Sequence, residues 1–226
     1  MLTMDRAVLF DVDGTLVDSN YLHVDTWARA LEEVGHPVDA WRIHRAIGMD
    51  SAKLLESLLG ERADAVGERA KTRHGDLYLQ QAERLRPFDG ARDLVAELAR
   101  RGARVVLATS APQKELELLL KVLDVDEHLA DFTSANDVET AKPEPDLIHA
   151  ALGKAGVDAA QAVMVGDTVW DVEAATRAGV ASIGVLSGGI GADELSDAGA
   201  VAVYADVAEL LAGIETSPIL SGAGGA

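Results

Sequence analysis

The sequence predicts an α/β protein, a parallel sheet covered on both faces by helices and interrupted by an inserted all-helical module. Three observations predict it. Short runs rich in Val, Ile and Leu are continuous rather than alternating, as in strands buried on both faces. Helical patterns separate the later runs, which is the rhythm of β-α-β units. One long segment, from Asp18 to about Arg86, carries helical patterns and no convincing strand.

The first strand is expected at Ala7–Phe10, where an apolar run meets two aspartates. In the insert, Val24, Trp27, Leu31 and Val34 share one helical face that ends at Gly35. Two short helices follow, with Asp39 and Asp50 as N-cap candidates, then a longer one from about Ala63 to Arg84. The α/β alternation resumes near Arg86–Gly90. Strands are expected at Arg104–Ala108, Ala162–Val165, Ala181–Leu186 and Ala200–Tyr204. Helices are expected at Gly90–Arg101, Pro112–Leu123, Pro145–Ala155 and Trp170–Ala178, with Gly102, Gly156 and Gly179 at helix stops. The expected division is therefore 1–17 plus 89–216 for the α/β core, 18–88 for the helical insert, and 217–226 as a disordered tail.

Composition narrows the function classes. The chain has 226 residues, 48% of them hydrophobic, enough for one good core and a smaller second one. Its 38 acidic against 20 basic residues give a net charge of −18, the wrong sign for phosphate-backbone contacts with nucleic acid. With no cysteine, disulfides and thiolate metal sites are excluded. No apolar run reaches the length of a membrane span, and MLTMDRAVLF lacks the zones of a signal peptide. A soluble, cytoplasmic protein without membrane or nucleic-acid partners is expected.

Strand ends carry the candidate chemistry, because ligands of parallel α/β sheets sit beyond the carboxyl ends of the strands. Asp11 and Asp13 are two apart, so both carboxylates can point to one side. They either cap the turn at Gly14–Thr15 or hold a hard cation such as Mg²⁺. Thr109 and Ser110 end the second strand, as phosphate donors or as a cap before Pro112. Lys142, between Ala141 and Pro143, is surface charge or an anion contact. Asp167 and Asp171 follow the third strand four residues apart, as helix-start acids or as a metal ligand with a supporting acid. Jointly they compose a site for a phosphoryl dianion plus Mg²⁺.

DVDGT, ATS, AKPEPD and GDTVWDV, in that order, resemble the four motifs of the haloacid dehalogenase superfamily, in its phosphatase branch. The resemblance covers nearly the whole chain. It extends to the insert, which is similar to that family's small helical cap in the phosphoglycolate phosphatase and β-phosphoglucomutase-like subfamily. It implies a Rossmann-like three-layer core and a Mg²⁺-dependent phosphomonoesterase. It makes Asp11 the nucleophile, forming an aspartyl-phosphate, and Asp13 the general acid and then base. Thr109 and Lys142 would hold the phosphoryl oxygens. Asp167 would complete the metal site with Asp11 and the Asp13 main-chain carbonyl, while Asp171 orients water or Lys142.

The cap of that family closes over the site and reads the leaving group. Gly48 and Lys53 lie in Ile47–Lys53, where the family places its specificity loop, and Arg45, His44 and His23 are further candidates. Trp27, one turn from His23, reads as core. The mutase relatives differ where it counts: Ser51 stands near their phosphate-gripping arginine, and Gly166–Asp167 replaces their Glu-Asp pair. The substrate is therefore expected to be a small phosphorylated metabolite, with 2-phosphoglycolate the leading candidate and a sugar-phosphate mutase the alternative. A phospho-aspartate switch would need neither Asp13 nor the insert, and a dehalogenase neither Mg²⁺ nor the second aspartate. A monomer is preferred to a dimer, since such a cap covers its own site.

Overall fold

Four consecutive apolar residues, Ala7–Phe10, form strand β1, and all four are buried. In the computed structural model, which describes residues 6–137, 140 and 142–221, this strand is central. Helices α1 (Asn20–Glu33), α2 (Ala40–Ala46), α3 (Ser51–Leu59) and α4 (Ala63–Leu79) follow it directly. Then come α5 (Ala91–Arg100), β2 (Arg104–Leu107), α6 (Gln113–Leu123), β3 (Asp131–Phe132), α7 (Asp146–Ala155) and β4 (Ala162–Gly166). The chain continues through α8 (Val169–Arg177), β5 (Ala181–Val185), α9 (Ala192–Ala198), β6 (Ala202–Tyr204), α10 (Val207–Ala212) and α11 (Pro218–Ser221). Among the described residues no helix is long and apolar enough to cross a membrane.

The six strands lie in the order β3-β2-β1-β4-β5-β6, and every neighbouring pair is parallel. Strand β1 pairs on one side with β2, Phe10 opposite Leu107, and on the other with β4, Phe10 opposite Val165. Chain order runs outward from β1 through β2 to β3, and again from β4 to β6. The reversal falls between β1 and β4, where diverging connections open a crevice at the carboxyl edge. One face is filled by Leu9, Val106, Met164, Ile148, Ala151 and Ala174. Each such large aliphatic side chain contributes roughly 1.5–3 kcal/mol by leaving water.

The chain divides into two compact units, Met1–Asp18 with Arg86–Ala226 and Ser19–Leu85. The helical unit thus starts one residue later and ends three residues earlier than the expected 18–88. The cause is backbone pairing, since Asp18 N–H donates to Arg86 O (2.9 Å) and Phe88 N–H to Leu16 O (2.9 Å), tying both crossing segments to the α/β unit. The helical unit has its own core, including Trp27, Leu31, Ile43, Leu54, Leu55 and Ala70. Its last helix stops at Leu79 rather than near Arg84, because beyond Tyr78 the polar Gln80, Gln81, Glu83 and Arg84 supply no apolar stripe.

The short edge strand β3 and helices α9 and α10 went unforeseen. Strand β3 is two residues long, and its Phe132 is exposed, so it carries no buried-strand signature. Residues 217–221, expected in a disordered tail, are ordered instead. Ser217 and Ile219 are buried, and Arg6 Nη1 donates to Ile219 O (3.1 Å). Residues 222–226, the rest of that expected tail, lie outside the described residues.

Candidate active site

Strand β1 delivers Asp11 to the crevice. Its amide still belongs to the sheet, donating to Val165 O at 2.9 Å, while its carboxylate leaves the ladder. The chain then turns tightly, with Thr15, Leu16 and Val17 N–H all directed at Val12 O. That turn brings the Thr15 hydroxyl 2.9 Å from Asp167 Oδ1 and 3.4 Å from Asp11 Oδ2. Asp13 stands in the same turn, half-buried, and its charge acts on Asp11.

Strand β4 ends at Gly166 and delivers Asp167. Thr168 then caps α8 in a reciprocal box with Asp171, whose Oδ2 accepts from the Thr168 amide (3.0 Å) and hydroxyl (2.6 Å). The box turns the other oxygen, Asp171 Oδ1, to within 2.6 Å of Lys142 Nζ. Lys142 also donates to Asp11 Oδ1. Strand β2 delivers Thr109, whose amide donates to Thr133 Oγ1 (3.0 Å). The Thr109 hydroxyl accepts from Ala111 N–H (3.0 Å), which leaves its proton to donate. Ser110 follows it, half-buried.

Asp11, Asp167 and Asp171 are all buried and offer carboxylate oxygens within 4.8 Å of one another. Three carboxylates against one ammonium leave an excess of two negative charges when all are ionised. Like charges about 4 Å apart repel by roughly 4 kcal/mol even at an effective dielectric near 20. A divalent cation balances that excess, and an all-oxygen donor set is what a hard cation takes. The residues fit such an ion, with Asp11 and Asp167 as the natural ligands and Asp171 committed to Lys142 and Thr168.

Burial pushes the Asp11 carboxyl from its ordinary value of 3.8 up to about 7, with Asp171 and Asp13 adding to the rise and Lys142 opposing it. For Lys142, burial opposes the charge, but Asp11 and Asp171 outweigh it and hold the proton beyond the usual lysine range. The sign for stability follows from proton counting. Between pH 3.8 and about 7 the metal-free fold binds more protons at Asp11 than the unfolded chain does, so rising pH removes stability. In EDTA, wild type is expected to lose stability relative to Asp11→Asn as pH rises from about 5 to about 8. Added divalent metal should reverse that trend, because the ion displaces the proton. A difference between the two proteins that stays flat with pH would refute the assignment.

Thr133 and Gly188 escaped the sequence reading, which placed Thr15 only in a turn and Gly166 only as a departure from the mutase pattern. A Cβ at Gly188 would stand 1.7 Å from Asp167 Oδ2, and one at Gly166 would stand 2.5 Å from Asp171 Cβ. Both positions must lack a side chain for the acids to sit where they do. The signal was visible only as a Gly before the acid in VGD and as the Gly pair in LSGG.

Asp11, Thr109, Lys142, Asp167 and Asp171 are thus gathered at the carboxyl ends of β1, β2 and β4, with Asp13 and Ser110 in the same loops. The remaining candidates belong to the helical unit. Gly48 forms the left-handed turn after α2 (φ 90°), Arg45 lies in the last turn of α2, and Lys53 is near the start of α3. His23 is part of an aromatic stack. Its Nδ1 is 3.1 Å from His74 Nε2, its ring 3.9 Å from Tyr78, and His74 in turn stacks on Trp27 at 4.1 Å. Trp27 is core, as expected.

A buried carboxylate, a lysine between two acids and a divalent-metal donor set, all at a parallel-sheet switch point, define a phosphoryl-transfer hydrolase. The haloacid dehalogenase-like hydrolase model matches residues 6–179, and the chain belongs to that family, as a phosphatase. It is 32% identical over 217 residues to a phosphoglycolate phosphatase of Rhodospirillum rubrum, covering 92% of this chain and 90% of that one. A phosphorylated carbohydrates phosphatase of Thermotoga maritima is 29% identical, with 88% and 93% covered. Among solved structures, a hydrolase from Pseudomonas syringae superposes with a TM-score of 0.89 at 35% identity, covering 93% of this chain and 98% of that one.

Proposed function

We propose that this phosphatase hydrolyses a small phosphomonoester, 2-phosphoglycolate above others, through an aspartyl-phosphate on Asp11 and with Mg²⁺ as its metal. The observation that carries the reading is the pairing of Lys142 with both Asp11 and Asp171 inside a buried acidic cluster. Such a lysine neutralises a carboxylate that must approach a dianion. An oxygen of Asp11 attacks phosphorus, and the bond to the leaving oxygen breaks. Asp13 gives that oxygen its proton, then takes one from the incoming water. The water oxygen attacks phosphorus, the Asp11–phosphorus bond breaks, and inorganic phosphate departs. Lys142, Thr109 and Ser110 donate to the phosphoryl oxygens throughout. Mg²⁺, held by Asp11, Asp167 and the Asp13 main-chain carbonyl, would supply charge neutralisation at the transferring group.

The relative from Rhodospirillum rubrum supports phosphoglycolate as the substrate, and the one from Thermotoga maritima makes sugar phosphates the comparison set. Within the helical unit, Gly48, Lys53, Arg45 and His23 remain the proposed specificity residues.

Phosphate release from 2-phosphoglycolate and a panel of hexose phosphates, with Mg²⁺ and with EDTA, tests the reading. It predicts Mg²⁺-dependent release, fastest from 2-phosphoglycolate. Release from a hexose phosphate far above the others would overturn the substrate, and a stable phosphoenzyme without release would overturn the hydrolysis. Asp13→Asn is expected to lower turnover by about a hundredfold or more while still binding Mg²⁺, because its main-chain carbonyl survives. Loss of Mg²⁺ binding in that variant would contradict the ligand assignment.

A further inference from the structure

The helical unit carries a cavity of about 240 Å³ that no step of the hydrolysis uses. Its walls include His36 and Val38 from the α1–α2 turn, Arg42 of α2, and Leu58, Leu59 and Arg62 at the end of α3 and just beyond it. No lining residue is acidic, in a chain with 38 acidic and 20 basic residues. Among the described residues, the guanidinium groups of Arg42 and Arg62 make no hydrogen bond and no ion pair. Most other arginines do, as at Arg73–Glu33, Arg101–Glu215 and Arg177–Glu173.

A basic side chain near a helix end commonly serves the terminal carbonyls. Here the chain's own amides already do so. Gly35 N–H donates to Glu32 O, His36 N–H to Leu31 O, and Gly60 N–H to Glu56 O. The two arginines are therefore not used as caps. They line the cavity together with His36, Val38, Leu58 and Leu59, and its accessible surface is mostly polar.

We propose that this cavity binds a small phosphorylated or phosphonylated compound, its dianionic head on Arg42, Arg62 and His36. Two planar guanidinium forks match tetrahedral oxyanions, and a neighbouring imidazole adds a donor. All the lining residues lie in Ser19–Leu85, whereas the acidic cluster lies wholly in the α/β unit. The cavity shares no residue with the acidic cluster.

Calorimetric titration of the full chain in EDTA, with inorganic phosphate and with phenylphosphonate, tests it. Wild type is expected to bind both anions. The double variant Arg42→Gln/Arg62→Gln is expected to weaken both by roughly tenfold or more. Arg69→Gln, an exposed and unpaired arginine of α4 outside the cavity, is the control and should change neither. Anion held by Lys142 and Thr109 would survive in the double variant, so catalytic-site binding cannot imitate the loss. The proposal is overturned if the double variant binds both anions as wild type does, if wild type binds neither, or if Arg69→Gln loses as much.

Discussion

Asp11→Asn is expected to remove turnover by about ten-thousand-fold or more while leaving the protein folded. The amide has no nucleophilic carboxylate oxygen, so no phosphoenzyme can form. Its effect on stability is small by comparison, because two opposing terms change together. The variant sheds a buried charge that Asp171 and Asp13 repel, and it gives up the attraction of Lys142. Lys142 keeps Asp171 at 2.6 Å. The unfolding free energy in EDTA should therefore move by no more than about 2 kcal/mol. Phosphate release and thermal unfolding on the same preparation check both halves. Turnover at the wild-type rate would exclude the covalent path, whatever the metal dependence.

Lys142→Met should have the largest effect on stability. The residue is 4% exposed, and among the described residues it supplies the single cation paired with Asp11 and Asp171. Methionine keeps much of the volume and none of the charge, leaving buried carboxylates uncompensated. Breaking such a pair costs about 3–5 kcal/mol. In EDTA the thermal midpoint should fall accordingly, and Mg²⁺ should restore a large part of it by binding only the folded state. Activity should not return with stability, because the ammonium proposed to hold the phosphoryl oxygens is gone. Equal midpoints for variant and wild type in EDTA would mean that the cluster is already neutral by another route.

Much of the fold was legible because its signals are local. Ala7–Phe10 and Ala162–Gly166 are unbroken apolar runs, and a strand buried on both faces leaves that signature whatever surrounds it. Trp27 and Leu31, one turn apart, mark the buried face of α1 in the same way. Strand β3 left no such mark, since two residues on a sheet edge need only hydrogen-bond to β2. The order at Ser217–Ser221 was equally hidden. It rests on Ile219 finding a buried place and on Arg6, more than two hundred residues away in sequence, finding its carbonyl.

The acids, hydroxyls and lysine of the site were readable for a different reason, since each sits at or near the end of a strand or in the approach to a helix. Chemistry at such positions is set by residue type and order along the chain. How those groups divide the work was not readable. Asp171 could equally have been a first-turn acid, until its capping box with Thr168 turned one oxygen inward to Lys142. His23, a cleft candidate by its spacing to Trp27, meets His74 and Tyr78, fifty residues on.

The sequence by itself determined the parallel α/β core, the helical insert and the set of groups that meet at the sheet's carboxyl edge, because periodicity and strand-end position are properties of neighbouring residues. Only the tertiary structure decided that Gly188 must lack a Cβ so that Asp167 fits, that Thr15 spans Asp167 and Asp11, and that Lys142 joins Asp11 to Asp171. Those contacts span 131 residues at Asp11–Lys142 and 152 at Thr15–Asp167. At such separations packing alone fixes distance, and distance sets the charge balance on which the chemistry depends.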